Sequence, residues 1–319
     1  MPYNIIIGRD KEDREKYGDK GKIFLGKGYV KMGNYTSLSN LLWLDVIKTH
    51  VILIAGKRGS GKSYSIGVLA EELSKLPEEV RNNIAPLIFD TMGIFWTMKY
   101  RNDQDIELLE DWGLKGEELP AVIWVPAGYY NEYAERKIPV DKKFALAANE
   151  LDIEDWLSIF ELKMIDPASV LIQKVISYFN EEYDLEDVID KVKENSYASD
   201  DVKKSVIALF EAAKSWKVFA SKGESATKIN ELIVSGVTSI LDLSVYSSNA
   251  SFNVRALIIG LISKKLFNQR MLARKKEEIE SIHKKFSKSS GKKEVPIVWM
   301  FLDEAHEFLP MHEKTPASN

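Results

Sequence analysis

The sequence predicts an α/β fold built on a mainly parallel, doubly wound sheet. Short apolar runs of strand type recur at residues 51–55 (VILIA), 86–89, 121–125 (AVIWV), 240–243 (ILDL) and 297–302 (IVWMFL). Helical patterns separate them, and the glycine-rich residues 56–61 join the first run to a helix. Continuous apolar strands suit a sheet covered on both faces, and strand–helix alternation makes that sheet parallel.

The first fifty residues read as short β pieces, 22–25 and 29–32, flanking Gly26-Lys27-Gly28 as the turn. After residue 61, Ile66, Leu69, Leu73 and Leu76 recur at spacings of three and four, and Pro77 stops that helix. The run at 86–89 ends on Asp90, and the run at 121–125 ends before Pro126-Ala127-Gly128. Residues 150–218 turn helical and acidic, as an insertion would. A long helix over 254–285 buries Leu257, Ile258, Leu261, Ile262 and Leu266, residues 286–294 (FSKSSGKKE) read as a polar linker, and Pro296 opens the last strand.

The balance of 45% apolar and 29% charged residues over 319 is that of a folded globular chain. No apolar run approaches the roughly 18–20 residues of a membrane-spanning helix, and the start carries no signal-peptide stretch. A cytoplasmic protein without a membrane partner is expected. With no cysteine, disulfides, thiolate metal sites and cysteine nucleophiles are excluded. His306 and His312 do not form H-E-x-x-H and read as surface or packing residues, no G-x-S-x-G occurs, and the scattered tryptophans read as core. Charge is uneven: residues 150–201 hold fifteen acids against four lysines, and residues 264–293 hold eleven basic residues against three acids. The two segments are expected to face different surroundings.

Gly56-Lys57-Arg58-Gly59-Ser60-Gly61-Lys62-Ser63 matches G-x-x-x-x-G-K-[ST] between a strand and a helix. Small residues let backbone N–H groups converge on phosphates, and the helix N-terminus adds partial positive charge. Lys62 is expected to reach the β- and γ-phosphates of ATP, and Ser63 to offer its hydroxyl to Mg²⁺. Those eight residues and the following Tyr64 form the expected nucleotide-binding set. Hydrolysis also needs a carboxylate for the metal and a group to activate water. Asp303 and Glu304, where the last apolar strand ends, supply these: Asp303 for magnesium, Glu304 as general base.

Four stretches carry a resemblance to a known group: residues 50–73 (HVILIAGKRGSGKSYSIGVLAEEL), 87–96 (LIFDTMGIFW), 240–244 (ILDLS) before a long helix, and 298–310 (VWMFLDEAHEFLP). They resemble the HerA/FtsK P-loop motor ATPases, and more closely the HerA-like proteins. That resemblance implies a RecA-like ASCE core, a homo-hexameric ring, ATP-driven movement along double-stranded DNA, and work beside a NurA-type nuclease in end processing. It divides the chain into a short β-rich segment (1–45), the first part of the ATPase core (46–149), the helical insertion (150–235) and the second part with the Walker B strand (236–319). The fifty N-terminal residues are short of the family's usual β-barrel, and Ile94 stands where many relatives place an acid, which leaves Asp90 a supporting role. In the family a strand following Asp-Glu inserts between the phosphate-loop strand and the Asp-Glu strand. The chain ends fifteen residues past Glu304, so it is expected to be a fragment of a longer ATPase, lacking that strand, its sensor residue and the arginine finger. The alternative is a nucleotide-binding scaffold that organises a nuclease or defence partner without motor activity.

Overall fold

The computed structural model describes residues 4–33, 35–246, 252–283 and 295–307. The first unit is a three-stranded sheet. Strand β3 (Tyr35–Asp45) pairs in parallel with β1 (Ile5–Ile7) and antiparallel with β2 (Lys22–Met32), and α1 (Lys11–Tyr17) lies between β1 and β2. The expected turn at Gly26-Lys27-Gly28 is not one. Strand β2 runs straight through it, with irregularities between Phe24 and Gly26 and between Lys27 and Tyr29, and the chain reverses between Met32 and Tyr35. Glycine inside a strand marks a bulge as readily as a turn, and alternation alone does not separate them. Buried Arg9 locks this sheet: its guanidinium donates to Asp45 Oδ1 (Nε 2.8 Å, Nη2 2.6 Å) and to the carbonyls of Gly18, Lys20 and Gly21.

The main sheet has the order β6-β5-β7-β4-β8, every pair parallel. Its strands are β4 (Ile84–Asp90), β5 (Ala121–Pro126), β6 (Lys142–Phe144), β7 (Thr238–Asp242) and β8 (Ile297–Leu302). β4 and β7 are buried at every position, as a central strand covered on both faces requires. Successive side chains part to opposite faces. Ile88, Ile123, Ile240 and Phe301 face α2 (Lys62–Ser74), whose Ile66, Leu69, Ala70 and Leu73 share their core with Ile23 and Leu44 of the small sheet. Leu87, Phe89, Trp124 and Leu241 face the other way, toward Leu257, Ile258 and Leu261 of the long helix α11 (Phe252–His283). Short helices α3 (Glu78–Arg81), α4 (Ile106–Asp111), α5 (Tyr130–Glu135) and α10 (Ile229–Leu232) fill the connections.

Between β6 and β7 stand α6 (Ile153–Ile159), α7 (Pro167–Ile176), α8 (Leu185–Glu194) and α9 (Asp200–Ser215). Asp152 and Asp184 cap α6 and α8, each accepting from the backbone N–H three residues on. Trp156 anchors the group, with ring centroids 5.6 Å from Phe160, 5.0 Å from Phe210 and 5.5 Å from Phe219. Contrary to expectation, the acidic and basic segments meet: Lys264 on α11 pairs with Asp152 (2.5 Å) and Asp155 (3.3 Å), and Lys265 pairs with Glu150. Acids at the start of the insertion complement lysines on the helix beneath them, though exposed pairs of this kind contribute only about 0–1 kcal/mol each. The linker at 286–294 lies outside the described residues.

The predicted strand at 51–55 is not in the sheet. Those residues carry no ladder; Val51 and Leu53 are almost fully exposed, and Ile52 partly so. A strand exists only through hydrogen bonds to a neighbour. Among the described residues β8 is the last strand on that side, no strand pairs with its outer edge, and residues 51–55 do not join it. No helix among the described residues is long and apolar enough to cross a membrane.

Candidate nucleotide site

The loop from Gly56 to Gly61 is exposed and ends at the start of α2. Gly59 and Gly61 have φ of +75° and +88°, left-handed values that a Cβ disfavours. At Gly56 a Cβ would run into the Ser60 side chain. No side chain caps α2 at Gly61, so the first-turn N–H groups face the loop's concavity without a side-chain acceptor. Lys57, Arg58 and Lys62 surround it with positive charge; Lys62 Nζ rests 3.4 Å from the Lys57 carbonyl oxygen. Such a concave, cationic, N–H-lined turn is a phosphate cradle. Tyr64 is exposed on the next turn and, with Ser63, opens onto a cleft of about 750 Å³ between α2 and the segment containing Trp96, Met98 and Tyr100. None of the loop residues from Gly56 to Lys62 line that cleft.

Parallel pairing brings β8 beside β4, with Leu302 opposite Phe89, and delivers Asp303 to the start of α2. Ser63 Oγ donates to Asp303 Oδ1 at 3.0 Å, a contact between residues 240 apart in sequence. Asp303 is buried, and its Oδ2 is buried without a hydrogen-bond partner. Burial raises the Asp303 carboxyl above its ordinary pKa, the Ser63 hydrogen bond opposes this, and the charge of Glu304 adds to it. A hydroxyl beside a carboxylate with one oxygen unsatisfied is a hard-oxygen set that fits Mg²⁺. Glu304 is half-buried in a left-handed conformation (φ +49°), with Oε2 3.3 Å from Nδ1 of exposed His306. His312 and the FLP that follows Glu307 lie outside the described residues. Among the described residues no cluster of three metal-ligating side chains occurs.

Asp90 proves to be a loop organiser. Its Oδ1 accepts from the N–H groups of Met92 (3.1 Å) and Gly93 (2.7 Å), and its Oδ2 from Phe95 (2.8 Å). Burial, with the charge of Asp242 second, pushes its pKa up to about 7. Asp242, opposite Asp90 in register, accepts from the Tyr133 hydroxyl (3.0 Å) and the Ser244 N–H (2.9 Å). β8, β4 and β7, side by side, thus each lead into an aspartate at the carboxyl edge of the sheet. Sequence reasoning passed over Arg255 and Glu307, which also belong to this edge. The available signal was an arginine inside the apolar stripe of α11, where a charge needs a partner.

Loop, helix and acidic strand end, together with an all-parallel sheet that has helices on both faces, define a P-loop NTPase. The family described as Helicase HerA, central domain, matches residues 30–266, a stretch holding the phosphate loop and four of the five strands of the main sheet. The chain belongs to that family, and with it to the ATPase motors of the HerA/FtsK type. No curated protein matches the chain.

Proposed function

We propose that this chain hydrolyses ATP to drive movement along double-stranded DNA, as one subunit of a homo-hexameric ring that works beside a NurA-type nuclease in DNA end processing. The observation that carries the chemistry is the meeting of Ser63 and Asp303 under the phosphate loop, with one carboxylate oxygen left free. Backbone N–H groups of the loop and Lys62 hold the β- and γ-phosphates and offset their charge. Ser63 and Asp303 would hold Mg²⁺, which would offset charge on the phosphates. Glu304 takes the proton of the attacking water and orients it in line with the γ-phosphoryl group.

ATP turnover measured with and without long duplex DNA, with Lys62→Ala as the blank, tests this. Stimulation by DNA, together with salt-sensitive DNA binding, is the expected result. A specific observation favours a second reading, a nucleotide-binding scaffold: residues 51–55 carry no ladder, so the loop has no sheet strand directly behind it. Tight ATP binding without turnover, with or without DNA, would select the scaffold, and absence of ATP binding would remove both readings.

A further inference from the structure

Arg255 sits in the first turns of α11 with its side chain 5% exposed. Its guanidinium reaches three places at once: Nε donates to the Leu243 carbonyl (3.3 Å), Nη2 to the Thr91 carbonyl (3.2 Å), and Nη1 to Glu307 Oε2 (2.8 Å). Leu243 follows the end of β7, Thr91 follows the end of β4, and Glu307 lies three residues beyond Glu304. One planar cation thus spans the carboxyl ends of three adjacent strands. A guanidinium does this and an ammonium does not, because its donors are fixed in a fork.

Glu304 has a left-handed backbone, which a residue with a Cβ adopts only where its surroundings force it. Two ties enforce it. Before it, the Asp303 N–H donates to the Phe89 carbonyl (3.4 Å); after it, the Glu307 N–H donates to the Glu304 carbonyl (2.9 Å). The second tie is held in turn by the Arg255–Glu307 ion pair. We propose that Arg255, through Glu307, is a positioning residue for Glu304, fixing the short turn that holds this carboxylate beside Asp303. The proposal rests on the reading of Glu304 as the general base.

The test uses the full chain and two readouts: steady-state ATP hydrolysis, and hydrogen exchange of the backbone over residues 303–307. Arg255→Met and Glu307→Gln are each expected to speed exchange across that turn and to lower kcat by about 100-fold with KM nearly unchanged, since loss of alignment acts on the chemical step. Arg255→Lys, which keeps the charge and loses the fork, is expected to recover part of kcat. The double variant is expected to be no worse than either single one, because both break the same link. Glu307 is part-exposed, so Glu307→Gln keeps the test open should Arg255→Met fold poorly. Unchanged exchange in Glu307→Gln would overturn the proposal, as would faster exchange with wild-type kcat. Glu304→Gln, run in parallel, separates the two readings: wild-type turnover in that variant removes the general base itself, whereas a dead Glu304→Gln beside a fully active Glu307→Gln removes only the positioning role.

Discussion

At the residue scale the site divides between groups proposed to hold phosphate and groups that arrange the sheet edge. Lys62 is the lysine assigned to the β- and γ-phosphates in our proposal, so Lys62→Ala is expected to abolish turnover while the circular dichroism spectrum stays unchanged. Glu304→Gln is expected to keep ATP affinity, measured by calorimetry, and to slow turnover about 100- to 10,000-fold, the range associated with a lost general base. Asp90 gives a prediction in pH. Its folded pKa of about 7 lies above the ordinary 3.8, so the fold favours the protonated carboxyl. Its contribution to stability is therefore complete below about pH 4 and is lost as pH rises from there through about 7. Urea denaturation across that window should show stability declining, and Asp90→Asn should flatten the decline; an unchanged slope would show that Asp90 is not the group responsible. That Asp303 comes beside Ser63 was foreseeable, because an apolar strand ending on two acids in the same chain as a phosphate loop points to the carboxyl edge of the same sheet. Arg255 was not, since its three partners lie 12, 52 and 164 residues away and only folding brings them together.

At the scale of elements, period and punctuation identified α2, the four inner and outer strands at 84–90, 121–126, 238–242 and 297–302, the helical insertion and α11. They did so because those segments bury an apolar face whose spacing is visible in one dimension. The three-residue strands β1 and β6 were illegible: too short for a period, they exist through a neighbour's ladder. Residues 51–55 show the converse, a strand composition without a strand. Two substitutions separate composition from burial. Leu53→Lys is expected to change unfolding free energy by no more than about 0.5 kcal/mol, because Leu53 is 86% exposed. Leu73→Ala on α2, where the side chain is 1% exposed, is expected to cost about 2–5 kcal/mol. Equal costs in chemical denaturation would contradict the placement of residues 51–55 outside the core.

For the molecule as a whole, the family match and the parallel sheet fix the class as an ATPase motor of the HerA/FtsK type, and the proposed movement on DNA carries its own prediction. If the chain engages duplex DNA through phosphate contacts, log affinity should fall linearly with log salt, with a slope of about −0.9 for each phosphate neutralised. A flat salt dependence in fluorescence anisotropy would count against a DNA track and toward the scaffold. The unequal charge of the two segments was legible in the sequence; that Lys264 and Lys265 spend theirs on Asp152, Asp155 and Glu150 was not, because charge balance says nothing about which surfaces meet.

The Ser63–Asp303 contact joins residues 240 positions apart, with the whole helical insertion made between them. A ribosome adding roughly 5–20 residues per second completes the phosphate loop on the order of 10–50 s before it reaches the strand that carries the acids. During that interval the nascent chain carries the loop sequence but neither Asp303 nor Glu304. On the proposed roles of Asp303 and Glu304, competence for hydrolysis is a late event in the life of each molecule, timed by synthesis and by the docking of β8 onto β4.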